Sequence, residues 1–165
     1  MNISKNLKSK IFSKEVATSL TITVLVFILD RVTKTAIVNH QTNNDSIIVN
    51  DYLNFDLIWN TGISFGLFSH NANIYYHLIS LLIFLVIIYL IFLAVQAKYL
   101  EKFLFSLILG GAIGNLYDRV FYFAVPDFID FHINDFHWFT FNIADIFITL
   151  GVILIIVSEL TLKKK

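Results

Sequence analysis

Residues 110–145 read GGAIGNLYDRVFYFAVPDFIDFHINDFHWFTFNIAD. The stretch begins inside one glycine-punctuated apolar run and ends inside another, and between them lie Asp118, Asp127, Asp130, Asp135 and Asp145. A carboxylate at or within a membrane boundary is costly unless it is paired, hydrated or used in chemistry. Five of the nine aspartates crowd this span, so the chemistry is sought here.

The flanking sequence makes the membrane reading necessary. With 57% apolar residues and a mean hydropathy of +0.74, the chain is too hydrophobic for an ordinary soluble domain. Four segments, residues 16–38, 74–97, 103–121 and 142–162, each hold about 20 residues, the length a helix needs to cross a hydrocarbon core of about 30 Å. The length of 165 residues argues for one domain. The expected fold is therefore membrane α-helical, with four transmembrane helices in one integral domain and extracytoplasmic segments at 41–73 and 122–140. The lysine-rich start MNISKNLKSKIFSKEV resembles a signal peptide, but Asp30, Arg31 and Lys34 follow its apolar run in place of a small-residue cleavage site. It reads as a retained first span.

Lys5, Lys8, Lys10 and Lys14 precede the first span, Lys98 and Lys102 lie between the second and third, and Lys163, Lys164 and Lys165 end the chain. By the positive-inside rule both termini are cytoplasmic. All three glutamates fall on that side and the aspartates on the other. From Lys14 to Asp30, and from Lys102 to Asp118, a helix climbs about 24 Å; from Lys163 back to Asp145 it climbs about 27 Å. Three carboxylates thus arrive at one level, just inside the outer edge. In the first outer segment, Leu53, Phe55, Leu57 and Trp59 alternate in the period of a strand, Asn60-Thr61-Gly62 supplies a turn, and Ile63–Phe68 is expected to return as a second strand.

Net charge is zero, so nothing indicates a nucleic-acid partner. The absence of cysteine excludes disulfides, a thiol nucleophile and thiolate metal sites. The five histidines show no metal-ligand spacing, His132 and His137 being five apart, so no metal is expected. Asp127 and Asp145 are the pair suited to amide hydrolysis, because two carboxylates sharing one proton can both deprotonate water and protonate the carbonyl. A plainer reading of Asp145 is helix capping, with Asn142-x-x-Asp145 as an acidic capping box, and the two roles are compatible. A plainer reading of Asp127 is a solvated turn acid after Pro126. Asp118-Arg119 reads as an ion pair supporting the site, Asp30 and Lys34 as a structural i, i+4 pair, and Asn115 as a buried amide needing a partner. Gly110, Gly111 and Gly114 offer a small-residue helix face. A cation-coupled transporter would place its acids nearer the midplane, and a lipid-binding assembly protein would need no acid pair.

Five stretches, in order, resemble lipoprotein signal peptidases: Asp30-x-x-x-Lys34, Asn60-x-Gly62-x-x-Phe65-Gly66, Gly114-Asn115-Leu116-Tyr117-Asp118-Arg119, Asp127-Phe128-Ile129-Asp130-Phe131 and Phe141-Asn142-Ile143-Ala144-Asp145. The resemblance covers nearly the whole chain. It implies an aspartic endopeptidase of the bacterial inner membrane that removes the signal peptide of prolipoproteins before a diacylglyceryl-modified cysteine. It also implies a small extracytoplasmic β-structure on four helices, with Asp127 and Asp145 catalytic. Asn60, Gly62, Asn115, Asp118, Arg119 and Asn142 would support them or contact substrate. Membrane lipid is the other expected partner, no cofactor is expected, and one chain is expected to suffice. Three positions depart from the family pattern. Arg31 replaces a usual Gln and is expected to face outward, Pro126 replaces an aliphatic residue, and Ile146 replaces a small one.

Overall fold

The computed structural model describes residues 14–41, 46–62, 72–134 and 136–162. Helix α1 (Lys14–Gln41) is followed by strands β1 (Ile47–Asn50) and β2 (Leu53–Asn60), helices α2 (Ala72–Gln96) and α3 (Tyr99–Phe121), strands β3 (Val125–Ile133) and β4 (Phe136–Phe141), and helix α4 (Ile143–Leu162). The strands form one antiparallel sheet in the order β1-β2-β3-β4.

Three helices, α1, α2 from Tyr76 and α4, are long and apolar enough to cross a membrane. Their large side chains point outward as lipid would require: Leu25 and Val32 on α1, Leu82 and Phe92 on α2, and Ile153 and Leu160 on α4 are all exposed. The expected third span corresponds to α3, which differs in kind. It carries Glu101, Lys102, Asp118 and Arg119, and packs against all three other helices. A helix sheathed by its neighbours need not be apolar all round.

Glycines let the neighbours close on α3. A Cβ at Gly110 would lie 2.6 Å from Val26 Cβ on α1, and one at Gly111 would lie 2.5 Å from the Ala144 carbonyl oxygen in the first turn of α4. Close backbone approach through small residues is how membrane helices pack. Because the atom facing Gly111 is backbone, Gly111→Ala must push α3 off the turn that carries Asp145. Overpacking of this kind costs about 1–3 kcal/mol, and a lowered thermal unfolding midpoint in detergent is the expected result.

The sheet sits at one end of the bundle. Ile37 from α1 packs with Phe128 and Ile129 from β3, joined by Phe55, Leu57, Phe141, Ile143 and Ile146. Gln41, the last residue of α1, fastens the two layers. Its Nε2 donates to the Phe55 carbonyl and its Oε1 accepts from the Leu57 N–H, each at 2.6 Å. These bonds bridge the place where the β2–β3 register shifts, between Phe55 and Ile58.

The alternating segment is β2, as expected, but its hairpin partner is the preceding strand β1. The return strand expected over Ile63–Phe68 lies outside the described residues. Residues 122–140, expected as the second extracytoplasmic segment, supply a second hairpin, β3–β4. Pro126 does not interrupt β3. It is fully buried at the second residue of the strand, opposite Trp59 and ahead of the first β4 pairing at Ile129, so no β3–β4 ladder bond needs its missing N–H. Ile146 finds its place in the core beneath the sheet.

Candidate active site

Helix α4 begins at a capping box. Asn142 Oδ1 accepts the Asp145 N–H at 3.1 Å, and Asp145 Oδ2 accepts the Asn142 N–H at 3.2 Å. Each side chain satisfies a backbone donor that the first turn leaves open. The capping reading of Asp145 therefore holds, and it leaves Asp145 Oδ1 free for another partner, Asn115 Nδ2 at 2.8 Å.

Asn142 also reaches Asp127. Its Nδ2 donates to Asp127 Oδ1 at 2.6 Å, while Asn60 Nδ2 donates to Asp127 Oδ2 at 2.9 Å. Asp127 is 3% exposed, so the solvated-turn reading does not hold. One asparagine thus ties the two acids together, through its backbone to Asp145 and through its side chain to Asp127.

The three asparagines share one logic. An amide has an accepting end and a donating end, and each of these spends its oxygen on a fixed donor. Asn60 Oδ1 accepts from Gly62 N at 2.7 Å, Asn115 Oδ1 from Lys34 Nζ at 2.8 Å, and Asn142 Oδ1 from Asp145 N. With the oxygen committed, each Nδ2 faces an aspartate. Gly62 is part of the device: it adopts φ +74°, the left-handed region that glycine tolerates at little cost.

Behind Asn115 lies a buried ion cluster. Lys34 Nζ donates to Asp30 Oδ2 at 3.0 Å and to Asp118 Oδ2 at 2.7 Å, and all three side chains are at most 1% exposed. Asp30 Oδ1 accepts the Ala144 N–H at 3.0 Å, so α1 caps the helix that carries Asp145. The i, i+4 pair of Asp30 and Lys34 is present as expected, and the three levels inferred from helical rise do meet.

Two expectations are corrected here. Asp118 pairs with Lys34 and Arg31 rather than with Arg119: Arg31 Nη2 donates to it at 2.8 Å. Among the described residues Arg119 makes no ion pair with a carboxylate. Its Nη1 donates to the Asn115 carbonyl at 3.3 Å, and its own carbonyl accepts from Tyr76. Asp118 is engaged by Lys34 and Arg31 from α1, while Arg119 turns back along its own helix to Asn115. Nor does Arg31 face outward. It lies over the Tyr117 ring at 4.9 Å and turns inward to Asp118 and Asp30. Asp130, His132 and His137 come together on the β3–β4 hairpin, a meeting that the spacing of five did not indicate.

Burial pushes the Asp127 carboxyl above its ordinary value, opposed by the Asn60 and Asn142 donors and reinforced by the negative charge of Asp145. Beside Asp145 an apolar groove of about 260 Å³ opens between β4 and α4, lined by Phe139, Phe141, Ile146, Thr149 and Leu150.

The class that this fold and site define is a membrane peptidase of the aspartic type. The family model described as signal peptidase (SPase) II matches residues 22–161. A lipoprotein signal peptidase of Pelagibacter ubique is 48% identical over 95% of this chain and 96% of its own, and one of Francisella tularensis subsp. novicida is 40% identical over 86% and 91%. Two solved structures described as bacterial membrane enzymes align with TM-scores of 0.71 and 0.75, at 36% and 34% identity. They cover 88% of this chain, and 89% and 94% of their own. The chain belongs to the signal peptidase II family.

Proposed function

We propose that this chain, as one integral domain, removes the signal peptide from prolipoproteins by cutting before the diacylglyceryl-modified cysteine, with Asp127 and Asp145 as the catalytic pair. The observation that carries the reading is Asn142, which joins a strand acid and a helix acid through one residue. The lipid on the cysteine stays in the outer leaflet, and the apolar part of the signal peptide enters along the groove beside Asp145. In this reading α3 is a fourth span, both termini are cytoplasmic, and the site opens at the periplasmic face of the inner membrane. The enzyme works as a single chain.

In this mechanism Asp127, whose carboxyl burial pushes above its ordinary value, carries the shared proton and donates it to the scissile carbonyl oxygen. Asp145, among N–H donors at a helix N-terminus, takes a proton from water. The water oxygen adds to the carbonyl carbon. Asp145 then gives its proton to the cysteine nitrogen as the C–N bond breaks, Asp127 recovers its proton from the collapsing tetrahedral species, and the new carboxyl group stays on the signal peptide. Asn60, Asn115 and Asn142 hold the acids in place, and Arg119, with no carboxylate partner among the described residues, is available to a substrate carbonyl.

Cleavage of a lipidated precursor, measured against pH, tests this. Two limbs are expected, belonging to the pair rather than to either acid. The alkaline limb reports loss of the proton that the pair shares, and burial of Asp127 moves it up from where an exposed carboxylate would set it. The same shift sets a stability trend: the fold binds this proton more tightly than the unfolded chain does. Asp127 therefore contributes most below the ordinary carboxylate value, and that contribution is lost as pH rises through the raised one. A rate that is flat across this range, or a product lacking the lipidated cysteine at its N-terminus, would refute the proposal.

A further inference from the structure

We propose that Asp130, His132 and His137 form a binding site for a divalent transition ion of the zinc class on the outer hairpin. The register of β3 and β4 sets His132 opposite His137, and Asp130, two residues from His132 on β3, lies on the same face of the strand. The two imidazole rings stack with centroids 5.1 Å apart. Asp130 Oδ2 lies 2.7 Å from His137 Nδ1 and 3.7 Å from His132 Nδ1, and one ligand atom from each residue falls within 4.8 Å of the others.

The 2.7 Å contact alone is an ordinary Asp–His hydrogen bond. It leaves His132 unexplained. That ring is mostly buried, and its Nδ1 is buried without a hydrogen-bond partner, near the same carboxylate oxygen. A buried ring nitrogen normally finds a partner. An ion between the three groups would give it one.

Two imidazoles and one carboxylate are a ligand set that suits zinc and its neighbours, with a further position open to water. Tetrahedral ligands about 2.0–2.1 Å from zinc stand about 3.3 Å from one another, so the widest separation in the cluster must close by up to about 1.5 Å. His137 can supply that movement, since it is 57% exposed on the edge strand. Asp127 and Asp130 are an odd number of residues apart on β3, which places them on opposite faces of the strand. The ion would be separate from the proposed catalytic pair. It would clamp the hairpin whose strands lead to Asp127 at one end and, through Phe141, to Asn142 at the other.

The test uses the full chain in detergent, without a polyhistidine tag, titrated with Co²⁺ and then with Zn²⁺. The expected result is one equivalent of Co²⁺ per chain with the visible absorption of a low-coordinate nitrogen–oxygen site, displaced by Zn²⁺. A Zn²⁺-dependent rise of several degrees in the unfolding midpoint should accompany it. His137→Ala, at an exposed position, and His132→Ala should each weaken binding at least about tenfold. His77→Ala and the paired Asp127→Asn/Asp145→Asn variant should bind as the parent does. The proposal is overturned by the absence of saturable binding, by binding that survives loss of both His132 and His137, or by binding that follows His77 or the acid pair.

Discussion

Asp145→Asn is expected to remove nearly all cleavage of a lipidated precursor while leaving the chain folded. General acid–base groups contribute about 10²–10⁴ in rate, and a neutral amide cannot take the proton from water. The substituted side chain keeps one oxygen for the Asn142 N–H and so preserves the start of α4; its NH₂ then meets the Asn115 donor, but Asp145 is only half-buried, so water can satisfy the displaced group. Turnover should collapse with little change in substrate binding or in unfolding midpoint. Asp127→Asn is expected to be equally inactive but less stable, for a reason visible in its partners. Asn60 and Asn142 both direct Nδ2 donors at it, one to each oxygen. An amide offers one oxygen and one NH₂ group, so one of the two neighbours would meet a donor. A buried donor left unpaired costs about 1–3 kcal/mol. Single-turnover cleavage together with thermal unfolding separates the two variants, and undiminished turnover by either removes that aspartate from the mechanism.

Regular features were legible in the sequence and pairings across elements were not. Helical rise alone put Asp30, Asp118 and Asp145 at one depth, and the structure joins them through Lys34 and Asn115. The capping box at Asn142 was legible for the same reason, since both its residues lie within one turn. The period of two in Leu53–Trp59 gave β2 but not its partner, because β1 has only four residues and shows no alternation of its own. Arg31 was misjudged from linear order. Position 31 follows Asp30 around the helix, but a long guanidinium side chain can turn back to Asp118 on a neighbouring helix, and a residue count does not record that reach. The meeting of His132 with His137 depends on hairpin register, which a spacing of five does not reveal. The role of Asn142 for Asp127 lay beyond local pattern too, because the contact joins the end of one hairpin to the strand that begins it.

Lys34→Met carries the other large expected effect, on stability first and on catalysis through it. The cluster holds two carboxylates, Asp30 and Asp118, against two cations, Lys34 and Arg31. Lys34 is the deeper cation, 1% exposed, whereas Arg31 is 16% exposed. Removing one partner from a buried pair costs about 3–5 kcal/mol, because the remaining charge keeps its desolvation penalty and loses its compensation. Methionine matches the length of lysine but returns no charge and no donor. The unfolding midpoint in detergent should fall by about 10 °C, taking about 2–4 °C per kcal/mol for a chain of this size. Arg31→Gln should cost less, since Lys34 still bridges both acids. Lys34 also holds the oxygen of Asn115. Its loss frees that amide to rotate, so Asp145 loses its directed donor, and turnover should fall in the fraction that remains folded. A Lys34→Met chain that unfolds at the parent's midpoint would mean that the cluster is not the structural centre of the end of the bundle that carries the sheet. One that unfolds early yet, while folded, cleaves at the parent's rate would separate the cluster from the acids it backs.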